Sequence, residues 1–532
     1  MKMENKRNEN IFWLILFTTL LFGLLLFNLR IDEGGDDSTY ICRAIDVLAN
    51  GSYPTFQGPL YPWFLSLFIA ISGTNLIVLK LTSLVCVLTA QYVFWRVMKR
   101  RVNQQLVLTA LALLSFNSLY LFFASQTYSE SLYTLVQYLF MGAMLSVDCK
   151  EWNDCSWKER TKLLIPIAVL ILSGFLIRTV GIFWLVAAVT YLIIEKKYHW
   201  AASLTVCTLS VLLLWVGVKE LVIEAPKSSS QIEQLTLKHP YQPEQGKETV
   251  IGYLERFGGN SQKYLSKHIL RIAGFKDVNN REVSTPITIL LYLFFAIGTY
   301  RAYKNKNKTM LFIAVMTATM LGVTFFALQT LWDQYRLIIP YLLMIYIILL
   351  YGIYHLFSYL GKTIAKYGII KVVTLSALLS FVQTKEKIDL QQLRRNISGD
   401  MLYGYTPDWY NYLGMCKAAA EQLPVDSYIA CRKPNMARIY GNGKKFYGIY
   451  NFNTEDPDEL LGALKEKGVT HIILASLRRD PLRPGEGLIN TIHRYMHFIV
   501  TKYPEAFTQV AVMGNEEVEP AYLFKINYEV MN

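Results

Sequence analysis

Apolar runs long enough to cross a hydrocarbon core recur from Ile11 to Val382 and then stop, and this pattern limits the fold more than any other feature. A span needs roughly 20 helical residues, and fewer where the bilayer thins or flanking side chains snorkel. Suitable segments lie at 11–29, 76–97, 106–123, 131–147, 163–177, 180–194, 201–218, 287–300, 310–327, 337–356 and 369–382. They predict a polytopic α-helical membrane protein with about eleven transmembrane helices. Of 532 residues, 53% are hydrophobic and only 17% charged, which excludes a soluble globular chain of this length. The net charge of +13 does not point to nucleic acid, because Lys and Arg gather at the ends of the apolar runs, where they set topology and meet lipid headgroups.

Alternate connections carry the basic clusters: Lys2, Lys6 and Arg7; Arg96 and Lys99 to Arg101; Lys158, Arg160 and Lys162; Lys196 and Lys197; Arg301 to Lys308; Lys362 and Lys366. The positive-inside rule makes these cytoplasmic, with a cytoplasmic N-terminus and an extracytoplasmic C-terminal domain. Segment 163–194 is read as two short helices meeting near Arg178, because a single span would put Lys196, Lys197 and the Arg301 to Lys308 cluster on the wrong side. The first run lacks a small-residue cleavage site before Arg30, so it is expected to remain as an uncleaved span.

The expected division is a membrane domain over 1–382 and an extracytoplasmic domain over 383–532. The membrane domain would carry outer loops at 30–75 and 219–286. The tail reads as a small α/β domain: a helix at 408–422, a strand at 428–431, a helix at 456–467, a strand at 469–475, a helix at 492–502 and two closing strands. Asp456-Pro457-Asp458 is a helix start, with proline early and acids in the first turn. The seven cysteines show no CxxC pair and no metal-ligand spacing with His. Cys416 and Cys431 share the tail, where a disulfide stays open if that domain is extracytoplasmic.

Chemistry concentrates in the first outer loop, which runs from Arg30 through Asp32, Glu33, Gly34, Gly35, Asp36, Asp37 and Tyr40 to Gln57-Gly58-Pro59-Leu60-Tyr61-Pro62. Clustered carboxylates outside a membrane face suit a general base or a site for a divalent cation. They equally suit a solvated acidic turn capping the next helix, and residue chemistry alone leaves both readings open.

Asp36-Asp37-x-x-Tyr40 soon after the first span, then Ala44, Leu48 and Gly51, then Gly58-Pro59-Leu60-Tyr61-Pro62, resembles the first loop of the GT-C glycosyltransferase superfamily. The resemblance is to the branch holding protein O-mannosyltransferases and lipid A aminoarabinose transferases. It implies catalysis by Asp36 first and Asp37 second, with Asp32 and Glu33 as a weaker alternative. It further implies an inverting transfer of a hexosyl or pentosyl group from a polyprenyl-phosphate donor to a protein, glycolipid or polysaccharide acceptor. The setting would be the outer face of a bacterial inner membrane. No cofactor is required by that chemistry, though the acid cluster leaves room for a divalent cation; no metal site is expected. Some relatives carry a Lys before the proline motif where this chain has Gln57, so their sugar is not implied.

Three further residues join Tyr40 and Gln57 as expected substrate contacts. Glu130, within Gln126-Thr-Tyr-Ser-Glu130, is an acid at a bilayer edge, expensive unless paired; its bland role is to complement a helix dipole. Arg178 and Arg336 stand where the family shows arginine, and a guanidinium there suits a departing lipid phosphate. Snorkelling, or for Arg336 pairing with Asp333, is the bland alternative. The basic residues between Lys227 and Lys276, including Lys263, Lys267, His268 and Arg271, read as a lid near the lipid donor or a loop lying on anionic lipid. Two other classes compete: a polytopic transporter or flippase, which would place its polar residues at the midplane in paired halves, and a membrane-anchored assembly protein for surface glycans without catalysis.

Overall fold

The computed structural model describes residues 2–55, 57–148, 150–222, 231–275, 283–481, 485, 487–515 and 517–531; Cys149, Lys227 and Lys276 lie outside them. The chain forms two compact units: Met1–Phe27 with Asp46–Ile388, and Asn28–Ile45 with Asp389–Asn532. The second unit thus takes in the acidic part of the first outer loop as well as the tail, and the tail's share begins at Asp389.

Among the described residues, the named elements of the first unit are all helices, beside one isolated bridge between Leu237 and Lys247. Among the described residues, eight helices are long and apolar enough to cross a bilayer, and nine if the bent pair Gln104–Ser115 and Ser118–Ala124 counts as one. The other two expected spans fall on the Ser129–Asp148 helix, whose first turn holds Glu130, and on the Phe183–Ile194 helix, which is too short for a straight crossing. Residues 163–194 are indeed two helices, Trp157–Ile177 and Phe183–Ile194, which meet at Arg178. The Leu60–Ser72 helix was not foreseen; its 13 residues are apolar but fall short of a span.

The Tyr335–Ser358 segment is 83% buried inside the unit, whereas Tyr198–Leu221 and Lys362–Lys385 are 17% buried and present apolar surface outward, as lipid-facing helices do. Glycines let the central helix approach its neighbour. A Cβ on Gly352 would lie 2.0 Å from the Phe294 carbonyl oxygen, and one on Gly298 would lie 2.8 Å from that of Ile348. The bent pair turns by 69° at Asn117. Its freed backbone is satisfied by side chains: Asn117 Oδ1 accepts from Tyr120 N (2.9 Å), Thr384 Oγ1 accepts from Ser118 N (3.0 Å) and donates to Phe116 O (2.7 Å), and Asn117 Nδ2 donates to Ile272 O (2.6 Å).

The second unit is the expected α/β domain. Strands β1 (Ile429–Cys431), β2 (Phe446–Gly448), β3 (His471–Ala475), β4 (Leu477–Arg478), β5 (Leu488–Ile489), β6 (Phe507–Met513) and β7 (Ala521–Ile526) form a five-stranded sheet of order β2-β1-β3-β7-β6 and a small β4-β5 pair. The β2-β1-β3 part is parallel and the remainder antiparallel. Helices Pro407–Gln422, Pro457–Glu466 and Thr491–Lys502 match the expected ones within two residues, and Asp456 caps the second by accepting from Asp458 N and Glu459 N. Helices Leu390–Ile397 and Pro434–Tyr440, and strand β2, were not foreseen. Leu460, Leu461, Ile472, Ile492 and Ile499 form its core between sheet and helices. Cys416 and Cys431 are free, buried thiols beside Tyr412 and are not bridged.

Gly352→Leu would drive a side chain into the Phe294 backbone and should lower the unfolding temperature in detergent, through an overpacking cost of about 1–3 kcal/mol. Gly322→Ala, whose Cβ meets nothing within 4 Å, should leave it unchanged.

Candidate active site

In the first unit the structure brings Glu130, Arg178 and Arg336 together. Glu130 opens the Ser129–Asp148 helix and is fully buried. One oxygen, Oε1, lies 2.6 Å from Arg178 Nη1 and 3.2 Å from Arg336 Nε. The Arg178 and Arg336 side chains, 18% and 19% exposed, are the more accessible part of the cluster. Each also lies over a tyrosine of the same segment, Arg336 at 4.9 Å from the Tyr128 ring centre and Arg178 at 6.0 Å from that of Tyr133. The Glu130 carboxylate is therefore an anchor beneath two cations rather than an exposed contact, and Arg336 pairs with it and not with Asp333.

Local backbone explains these positions. Arg178 caps the Trp157–Ile177 helix in an extended conformation, its N–H donating to Gly174 O (2.9 Å). Gly58 of the proline motif packs against that helix end: a Cβ there would sit 2.0 Å from the Leu176 carbonyl oxygen. Gly181 meets Gly174 as closely, which tightens the turn that carries Arg178. Thus Gly58 has a packing reason to be glycine, and Gln57 beside it is half-buried in the same unit. Arg336 lies in the 3-10 turn Tyr335–Tyr341, anchored where Gln137 Nε2 donates to Pro340 O (2.8 Å). Lys80, fully buried in the Leu76–Met98 helix, donates to Gln126 Oε1 (2.9 Å), and Ser83 Oγ donates to Gln126 O (2.6 Å), which fastens the segment leading to Glu130. A lone lysine inside an apolar span is the sequence signal for this residue.

The outer-loop basic residues hold the segment before Arg336. The Val250–Gln262 helix continues as a π turn, Lys263–Ile269, and a last turn, Leu270–Ile272. Asn260 Nδ2 donates to Phe325 O (3.0 Å) and Leu328 O (2.7 Å), Arg256 Nη1 to Ala327 O (3.2 Å), Lys263 Nζ to Thr330 O and Tyr264 OH to Trp332 O (3.3 Å). Asp333 receives His268 Nε2 at 2.7 Å and Lys267 Nζ at 2.5 Å. The hydrogen bond from His268, with Lys267 adding to it, holds the Asp333 carboxyl well below the usual carboxylate range. Burial pushes the His268 imidazole down, against the pull of Asp333, which favours neutral His268 as an N–H donor.

Asp36, Asp37 and Tyr40 lie in the second unit, on the Asp36–Asn50 helix. Gly35, at φ +87°, makes the sharp entry to it, and Gly34 N donates to Asp32 Oδ2 (3.0 Å). The Asp37 carboxylate is fully buried and accepts from Ser38 N (2.8 Å) and Asp32 N (3.1 Å), closing the loop on itself. Asp36, in the first turn, is half-buried, and Tyr40 is buried. Lys433 Nζ donates to Glu33 O (2.8 Å), Asn435 Nδ2 to Thr39 Oγ1 (3.0 Å) and Tyr405 OH to Ile31 O (2.6 Å), so the tail frames this loop. Burial pushes the Lys433 ammonium down and the Glu33 carboxyl up, the latter against Arg30 at 3.6 Å. Among the described residues no three His, Cys, Asp or Glu side chains are arranged to hold a metal ion.

Residues 56–220 match the family model described as dolichyl-phosphate-mannose-protein mannosyltransferase. The crystal structure of ArnT from Cupriavidus metallidurans bound to undecaprenyl phosphate is similar at a TM-score of 0.56 and 11% identity, over 97% of this chain and 98% of that one. The Archaeoglobus fulgidus oligosaccharyltransferase in complex with zinc and sulfate is similar at a TM-score of 0.56 and 12% identity, over 86% of this chain and 67% of that one. AglB from Archaeoglobus fulgidus, in complex with an inhibitory peptide and a dolichol-phosphate, gives 0.50 and 11% over 87% and 69%. No curated protein sequence matches significantly. The chain is a multi-pass membrane protein with the fold of the GT-C superfamily of membrane glycosyltransferases, which is the superfamily its first-loop residues resemble.

Asp37→Ala would strand the Asp32 and Ser38 amides and should destabilise the purified protein by about 1–3 kcal/mol in a thermal melt. Asp36→Asn should cost less, about 0.3–1 kcal/mol through its weakened interaction with the helix N-terminus.

Proposed function

We propose that this chain is a glycosyltransferase that moves one sugar from a polyprenyl-phosphate donor to a hydroxyl-bearing acceptor on the extracytoplasmic face of a bacterial inner membrane. The observation that carries the reading is the arginine pair, two guanidiniums seated on one buried carboxylate in a chain with the GT-C fold. Asp36 takes the proton of the acceptor hydroxyl. The acceptor oxygen attacks the anomeric carbon opposite the phosphate, the bond from that carbon to the phosphate oxygen breaks, and the configuration inverts. The leaving group departs with the bonding electrons as a phosphate monoester, which carries more negative charge than the diester it came from. Fixed cations at that point therefore bind the transition state better than the donor, which is the condition for raising the rate. Arg178 and Arg336 take this role. Asp37 acts by fixing the loop, consistent with its buried, amide-bound carboxylate. No cofactor is needed for this chemistry.

Membranes containing the full chain, incubated with radiolabelled polyprenyl-phosphate sugars, should transfer label to endogenous acceptor. Asp36→Asn should slow transfer by about 10²–10⁴, the usual worth of a positioned general base. Arg178→Ala or Arg336→Ala should each cost about 10²–10³, as loss of a transition-state charge contact does. Undiminished transfer in Asp36→Asn would remove Asp36 from catalysis, and undiminished transfer in both arginine variants would overturn the phosphate assignment.

A further inference from the structure

The side chain that meets Glu130, Arg336, arrives at the end of an irregular stretch that supplies little of its own support. Residues 328–334 leave the Lys308–Ala327 helix and enter the 3-10 turn Tyr335–Tyr341 without regular structure beyond isolated turns. Such a stretch holds one conformation only if something outside it fixes its polar groups. The outer-loop helix does so at two points just before Arg336. Lys267 and His268 take the two oxygens of Asp333, three residues upstream, at 2.5 Å and 2.7 Å. Arg271 lies over the ring of Tyr335, the residue immediately upstream, at 5.4 Å.

The helix geometry suits this grip. Consecutive residues of an α-helix diverge around its axis, yet Lys267 and His268 reach one carboxylate together, from inside the π turn Lys263–Ile269. Single π turns recur at functional sites because they cost regularity and are kept where they re-aim side chains. His268 is 1% exposed and Asp333 40% exposed, so a carboxylate open to solvent on one side is held on the other by an imidazole fixed in the packed loop.

We infer that His268 and Asp333 are positioning residues for Arg336, and that the outer-loop helix transmits its own placement to the phosphate-binding pair through this clasp. Neither touches substrate, and the inference rests on Arg336 serving the departing phosphate.

The test is a double-mutant cycle in the full-length protein, using a radiolabelled polyprenyl-phosphate sugar as donor. His268→Ala and Asp333→Ala should each lower kcat by about tenfold or more while KM for the donor moves by less than about threefold. His268→Gln, which keeps an N–H for Asp333, should restore most of the loss. In an Arg336→Ala background the same two substitutions should cost nothing further, because the residue they position is gone. Hydrogen exchange of amides 328–334 should rise in His268→Ala while the Lys308–Ala327 helix stays protected, which separates a loosened segment from a misfolded chain. The inference is overturned if His268→Ala and Asp333→Ala transfer at the wild-type rate while Arg336→Ala is slow, or if their losses persist in full in the Arg336→Ala background. Wild-type transfer by Arg336→Ala itself would instead remove the phosphate reading on which the inference stands.

Discussion

One carboxylate organises the first unit's polar face. Glu130 is fully buried, and a buried carboxylate without a partner costs several kcal/mol, so the chain must bring cations to it. It brings two, from segments far apart in sequence: Arg178 from the turn between two short helices and Arg336 from the turn before the central helix. Removing one partner of such a pair typically costs about 3–5 kcal/mol, since the charge left behind stays buried. The two turns are therefore tied to the start of the Ser129–Asp148 helix, and the helices that end in them follow.

The second unit solves a different problem. An acidic loop of Asp32, Glu33, Asp36 and Asp37 would repel itself if left open, and the tail closes it with Lys433 against the Glu33 carbonyl and Asn435 against Thr39. Asp37 spends its charge on the loop's own amides, which leaves the two adjacent aspartates chemically unequal. Asp37 is fully buried on those bonds, while Asp36 is half-buried in the first turn of the helix. The unit also explains why 28–45 groups with a domain that begins more than three hundred residues later.

What the sequence made legible follows from the range of each interaction. Spans are set by composition over about twenty residues, and the apolar runs all fall on helices. The tail's helices and strands announced themselves through local signals, with Asp456-Pro457 as a helix start. The 69° bend at Asn117 was hidden inside one apolar run, because Thr384, which satisfies its backbone at Phe116 and Ser118, lies more than 260 residues away. Glu130, Arg178 and Arg336 were visible as ionisable residues at bilayer edges, but not their pairing. Asp333 is the nearer acid to Arg336 in sequence, and nothing local reveals that Lys267 and His268 have claimed it. Lys433 was invisible for the same reason, since its partners lie four hundred residues away.

The central claim is that Glu130 matters as the seat of the arginine pair, and this has an unusual consequence for charge. If the site were only a sum of charges, deleting a negative group beside two cations would tighten its hold on a phosphate. The most direct measurement is therefore the equilibrium affinity of purified wild-type protein and Glu130→Gln for polyprenyl phosphate, at fixed ionic strength. Affinity should fall by about tenfold or more in Glu130→Gln, as a lost positioning contact does. Affinity that is unchanged or higher in the variant would contradict it.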